Sequence, residues 1–433
     1  MRLIKLVGLV GVAGLLVLQP GLVVGQEDSA VLVAQGEELA EAERLNQQVI
    51  QLYEEGKYSE AISLAEEVLA TLGNEHPNVA NSLNNLALLY ESQGRYKEAE
   101  SYYLQALDMK KRLLGEEHLD IAASINDLAL SYMEQGKYAE AETYHLEASE
   151  MLKRLLGEEH PDVATSINNL AGLYENQGRY AEAETYHLKA LEIRKHLLGE
   201  EHLDVAQSLH NLAGLYESQG KYTESEIYLL QALEIREYLL QKEHPDIAAT
   251  FNNLAWLYQK QGRYTEAESY FLQALEILKS LFGKKHPDIA ATFSNLAWLY
   301  QKQGRYAEAE SYFLQALEMK KLFLGKEHPS VATSLNNLGV LYYRQGRYVE
   351  AENYYLQSWK MLKLFLGEEH PSVVQSLNNL AELYQEQGKY TEAETYFLKS
   401  LEMLRHFLGE KHPDVATSLN NLASLYRSQG RYI

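Results

Sequence analysis

The chain has 433 residues, 46% hydrophobic and 23% charged, a composition ordinary for a folded soluble protein. A formal net charge of −22 argues against broad nucleic-acid binding and against attraction to anionic lipid. With no cysteine, the chain has no disulfide, no thiolate metal site and no thiol nucleophile.

Residues 1–25 have the layout of a secretory signal peptide. Arg2 and Lys5 precede an uncharged apolar run from Leu6 to Leu18, Pro20 follows, and Val23 and Gly25 flank a cleavage point before Gln26. The expectation is export, to the periplasm or out of the cell. The rival is an uncleaved N-terminal anchor, because apolar character continues to Val24 and approaches membrane-spanning length. No membrane association is expected beyond this segment.

After a lead-in, residues 26–41, the chain repeats itself. His76, His118, His160 and their successors to His412 recur every 42 residues, and the glycines from Gly94 to Gly430 keep the same interval. A fixed period of this length marks a stacked array. Residues 42–76 read as a divergent capping repeat, 77–412 as eight full repeats, and 413–433 as a terminal half repeat.

The unit from Pro245 to His286 shows the physics. Pro is tolerated at the first helical position, and Asp246 complements the positive end of the helix dipole. Leu254, Ala255, Leu257 and Tyr258 recur at helical spacing until Gly262 supplies the left-handed residue that closes the helix. A second helix turns Ala267, Tyr270, Phe271, Ala274 and Leu275 inward and ends at Gly283. Each hairpin is too thin to bury its own apolar face, so stacking completes the core. The fold class is all-α, an α-solenoid of stacked helical hairpins.

Leu254, Ala255, Tyr258, Gly262, Tyr264, Ala267, Phe271 and Ala274 resemble the tetratricopeptide repeat in type and spacing. The second helix runs on past the usual 34-residue length, and a "GEEHPD"-like loop stretches the period to 42. This longer form is similar to the repeats of kinesin light chains and their bacterial relatives. The resemblance implies a right-handed superhelix whose first helices line a concave groove, and a partner that is a protein or extended peptide. Kinesin light chains use comparable arrays for acidic cargo peptides. Their long heptad coiled coil has no counterpart between Gln26 and Leu45, so a motor subunit is not expected.

Comparing the repeats with each other separates core from surface. The tyrosines from Tyr90 to Tyr426 never change and read as helix packing with the hydroxyl reaching a partner. The nine histidines read as helix caps, because ligands of one metal ion must all lie about 2 Å from it, whereas successive repeats are displaced by about 10 Å. His145 and His187 stand where Phe271, Phe313 and Phe397 stand elsewhere, so they read as semi-buried substitutes. The carboxylates of the "EAE" and "GEEH" segments are expected on solvated faces and loops. There is no glycine-rich phosphate loop, no HExxH and no nucleophile elbow. No catalytic, cofactor or metal site is expected.

The first helices carry an informative stripe. A ladder of Asn recurs at one site, and Asn is a poor mid-helix residue. Two readings stand: bonding to the neighbouring repeat, or gripping a peptide backbone. Three residues on, the chain varies from Gly to Trp, and four further on it varies too, with Lys260, Lys302 and Arg344 basic in three consecutive repeats. Asn253, Trp256 and Lys260, then Asn295, Trp298 and Lys302, then Asn337, Val340 and Arg344 therefore share one helical face. The alternative to a binding patch is that the indoles only fill a tightly curved groove.

The function expected is a non-enzymatic scaffold holding an acidic segment with a large apolar side chain. The indoles would contact that side chain, the Asn ladder the backbone, and Lys260, Lys302 and Arg344 the acids. The alternative is the sensory or regulatory part of a larger effector protein. Self-association of near-identical repeats is a further expectation.

Overall fold

A computed structural model describes residues 41–42, 44–53, 57–72, 77–326, 328–368, 370–410 and 412–430. The expected export segment, the lead-in up to residue 40, Gly56 and His76 lie outside the described residues. The described residues fall into two compact units, one ending at Leu128 and one beginning at Ala129.

The first unit contains α1 (residues 44–53), α2 (Tyr58–Leu72), α3 (Pro77–Ser92), α4 (Tyr96–Leu114) and the first part of α5 (Leu119–Glu134). Val79, Ala80, Leu83, Ala106 and Met109 form one core cluster there, and Ala42, Leu45 and Val68 another.

The second unit continues with α6 (Tyr138–Leu156), α7 (Pro161–Asn176), α8 (Tyr180–Leu198), α9 (Leu203–Ser218), α10 (Tyr222–Leu239), α11 (Pro245–Lys260) and α12 (Tyr264–Phe282). Then come α13 (Pro287–Lys302), α14 (Tyr306–Leu324), α15 (Pro329–Arg344), α16 (Tyr348–Leu366), α17 (Pro371–Glu386), α18 (Tyr390–Leu408) and α19 (Pro413–Ser428). Odd-numbered helices are the first of each hairpin and even-numbered helices the second. One buried cluster runs without a break from Ala213 to Leu425, as a solenoid requires when each hairpin lends its apolar face to the next.

Local chemistry sets the boundaries. His160, His202, His244, His286, His328, His370 and His412 are N-caps, each accepting the backbone N–H two residues on through its side chain. At His244 the Asp246 N–H donates to Nδ1 at 3.2 Å. Every one of these imidazoles thus satisfies an amide that the helix itself leaves orphaned. The closing turn is equally specific. Gly262 has φ +77°, its N–H donates to the Gln259 carbonyl, and the Arg263 N–H reaches back to Tyr258 at 2.8 Å. These are the two bonds of a Schellman cap.

The hairpins are clamped to each other by a triad. The Tyr300 hydroxyl donates to Glu268 of the preceding hairpin at 2.8 Å, and Arg305 lies 4.0 Å above the Tyr300 ring while also reaching Glu268. Burial first, and Glu268 second, push the Tyr300 hydroxyl well above its ordinary pKa. The same tyrosine-to-glutamate bond joins Tyr216 to Glu184, Tyr342 to Glu310, Tyr384 to Glu352 and Tyr426 to Glu394. In the first unit it joins Tyr90 to Glu66. This corrects the expectation that the "EAE" carboxylates are merely solvated: Glu142, Glu184, Glu268, Glu310, Glu352 and Glu394, each the second Glu of its segment, are half-buried and accept from the next hairpin.

One further expectation changes. His145 and His187 are fully buried rather than semi-buried, at 0% and 2% exposure. His187 meets the Asn168 amide oxygen at 2.8 Å, and burial, with Arg194 beside it, pulls its pKa down to about 4. The coil of the second unit also touches itself. His370 Nε2 donates to the Glu134 carbonyl at 2.9 Å and His412 Nε2 to the Asn176 carbonyl at 3.3 Å, each across 236 residues. No helix among the described residues is long and apolar enough to cross a membrane.

Candidate functional site

First helices of neighbouring hairpins touch: α11 meets α13, α15 meets α17 and α17 meets α19. The stripe predicted from sequence lies on these helices.

Asn253 and Lys260 are exposed and Trp256 half-buried on α11. The Trp256 indole N–H donates to Glu217 at 3.1 Å, and Lys260 Nζ stands 4.7 Å above the ring. On α13, Trp298 is half-buried and meets Phe313 edge-on at 5.6 Å, with Lys302 exposed. Both indoles are partly buried against the main core cluster. Lys260 and Lys302 make no ion pair among the described residues. Arg344 on α15 is exposed, but Glu382 of the next hairpin opposes it. Burial raises the Glu382 pKa, and Arg344 partly offsets that. The structure therefore brings Trp256 with Lys260 and Trp298 with Lys302 onto adjacent helices, and leaves Arg344 partly neutralised.

The asparagine ladder bonds to the preceding hairpin in some repeats and not in others. Asn379 donates to Asn336 at 2.9 Å and Asn421 to Glu382 at 3.4 Å, both in the preceding hairpin. Asn295 and Asn337 are half-buried, with no hydrogen bond among the described residues. The residue just before the ladder holds the repeats together: Asn252 donates to Thr292 at 3.1 Å, and in the first unit Asn84 donates to Ser124 at 3.2 Å. The Asn-Asn doublet was the available signal, since neighbours in a helix point about 100° apart.

Sequence reasoning missed a buried cation beside this stripe. Arg236, 3% exposed on α10, donates to Thr250 at 2.6 Å and Gln207 at 2.9 Å, and lies 3.2 Å from His210 Nδ1. An arginine only donates, so Nδ1 must carry a lone pair and Nε2 the proton. Nε2 lies 2.7 Å from the Asn253 amide, which must therefore turn its oxygen toward the ring. Burial, and then Arg236, lower the His210 pKa. Arg194 occupies the same slot one repeat earlier, bonded to Ser208 at 2.8 Å and Thr165 at 2.8 Å. The visible sign was a slot that alternates Lys110, Leu152, Arg194, Arg236, Leu278 and Lys320.

Two family models, both described as Tetratricopeptide repeat, match the chain. One covers residues 45–112, 162–237, 246–322, 301–363 and 372–433, and the other 121–162. No curated protein matches the sequence. Among solved structures, BtubC (BKLC) from P. vanneervenii is 27% identical, covering 55% of this chain and 93% of its own, with a TM-score of 0.41. A Podosopora anserina structure of kinesin light chain nearly identical TPR-like repeats is 29% identical, covering 48% and 99%, with a TM-score of 0.39. A Rap protein complexed with Competence and Sporulation Factor is 16% identical, covering 91% and 100%, with a TM-score of 0.49. The family models account for most of the chain, and the capped, clamped hairpins account for their pattern: the chain belongs to the tetratricopeptide repeat family.

Proposed function

We propose that this array is a non-enzymatic scaffold that holds an acidic peptide segment, bearing a large apolar side chain, against the first helices of its sixth to eighth hairpins. Tetratricopeptide arrays are scaffolds of a type used for protein–protein interaction, so the open questions are which surface and which partner. The carrying observation is the pairing of half-buried Trp256 and Trp298 with exposed Lys260 and Lys302 in a chain of net charge −22. Half-buried indoles suit an apolar anchor. Lysines without ion pairs supply the complementary charge, and the unpaired amides of Asn295 and Asn337 offer both donor and acceptor to an extended backbone. Arg344 contributes less, because Glu382 already faces it.

Selection from a random peptide display library on residues 26–433 tests this reading. Enrichment of sequences combining carboxylates with an aromatic or leucine residue is expected, and enrichment of basic or purely polar sequences contradicts it. Residues 1–25 are proposed to direct export; fusing them to a reporter and finding it retained in the cytoplasm would refute that.

A further inference from the structure

Two clefts of similar size stand at equivalent places in the second unit, three repeat periods apart, and they carry opposite charge. The first has a volume of about 820 Å³, and Glu158, Glu159, Glu192 and Glu200 outnumber Lys189 and Lys195 on its walls. The second encloses about 770 Å³, and there Lys284, Lys285 and Lys326 occupy the same three repeat positions. Shape is held and charge is inverted, so the lysines are not needed to build the cleft.

Lys279 and Lys321 bring the total to five lysines against one carboxylate among the described residues that line it, Glu318, which is already bonded to Lys321 at 3.0 Å. Lys279, Lys284, Lys285 and Lys326 make no ion pair among the described residues. Clustered like charges repel, and an entering anion relieves that repulsion. The floor is apolar. Phe293 lies 5.6 Å beneath Lys279, and Leu322, which stands where the acidic cleft has His196, is 61% exposed.

We propose that the cleft between α12, α14 and the segments that follow them is a second docking site, for an acidic segment of a partner protein that carries an apolar side chain. The lysines are spread over two loops and two helix ends, which suits several carboxylates along a chain. Lysine is a flexible point charge without the bidentate fork that arginine offers a phosphate. The exposed leucine and the phenylalanine give an apolar side chain somewhere to go. The cleft shares no residue with the Trp256 and Trp298 stripe, so it stands or falls independently of the function proposed above.

The test is fluorescence anisotropy with a labelled peptide in which two glutamate blocks flank a Leu-Phe pair. The triple variant Lys284→Glu, Lys285→Glu, Lys326→Glu restores the residues of the acidic cleft, and circular dichroism checks that it is equally folded. All measurements are made in the Trp256→Ala, Trp298→Ala, Lys260→Glu, Lys302→Glu background, which removes the first-helix stripe and leaves the cleft intact. Saturable binding in that background, weakened more than tenfold by adding the triple change, is the expected result. Three outcomes overturn the proposal: no saturable binding in that background, equal binding after the triple change, or displacement of the probe as effectively by inorganic pyrophosphate or an all-glutamate peptide.

Discussion

His370 donates its Nε2–H to the carbonyl of Glu134 across 236 residues, while its Nδ1 accepts the N–H of Ser372 at 3.1 Å. One neutral imidazole thus joins the carboxyl end of α5 to the amino end of α17, satisfying an orphan group at each. His412 repeats the arrangement with Asn176 and Asp414. Replacing both His370 and His412 with asparagine keeps a side-chain N-cap acceptor and removes the two bridges between successive coils. Small-angle scattering of the double variant is expected to show a larger radius of gyration with unchanged helix content; an unchanged radius would contradict the bridging role.

Acid is expected to weaken the array. Burial lowers the His370 pKa against the opposing bond to Glu134, and His187 is pulled down to about 4. The unfolded chain therefore binds protons that the folded chain rejects. The stability contributed by neutral His187 is present above about pH 6.5 and is lost as pH falls toward 4, by at most about 3 kcal/mol. Urea denaturation at pH 7.5 and 4.5 measures the loss. His187→Phe, which restores the aromatic of Phe271, is expected to shrink it.

Gly339 stands where other repeats have Ala255 or Ala297, and its neighbour is the cause. A Cβ there would lie 2.5 Å from the ring of Tyr355, which is 2% exposed. Gly339→Ala is expected to cost about 1–3 kcal/mol by overpacking. Adding Tyr355→Leu reproduces the Ala213 and Leu229 pair of an earlier repeat. The double variant is expected to be more stable than the sum of the single losses, as a thermodynamic cycle measures.

How far the sequence spoke depended on distance along the chain. The histidine caps and the glycine turns were legible because each acts within a few residues, as His244 does on Asp246. The Tyr300 and Glu268 clamp was half legible: the tyrosine was placed in the packing, but its carboxylate lies 32 residues earlier and read as solvated. The His370 bridge was not legible, because the pitch of a coil is a sum of small rotations that no single repeat encodes. The Trp256 and Trp298 stripe was legible as a helical face, whereas the grip of Glu217 on one indole was not.

Arg194 is buried although its side chain is charged. Arg194→Leu places at this site the residue found at Leu152, Leu278, Leu362 and Leu404. Replacing a buried cation and its hydrogen bonds with a packed apolar side chain is often neutral or stabilising. The expected change is within about 1 kcal/mol of zero, measured by urea denaturation. A loss above about 3 kcal/mol would mean that the bonds to Ser208 and Thr165 hold the neighbouring hairpins together.

The central claim is that the first-helix stripe is the binding surface. Its most direct test is isothermal calorimetry of a peptide selected on the array, against the wild type and against Trp256→Ala, Trp298→Ala, Lys260→Glu, Lys302→Glu, with equal folding confirmed by circular dichroism. The account predicts at least a hundredfold weaker binding by the variant, about 2.7 kcal/mol. Equal affinity for the two proteins would contradict it.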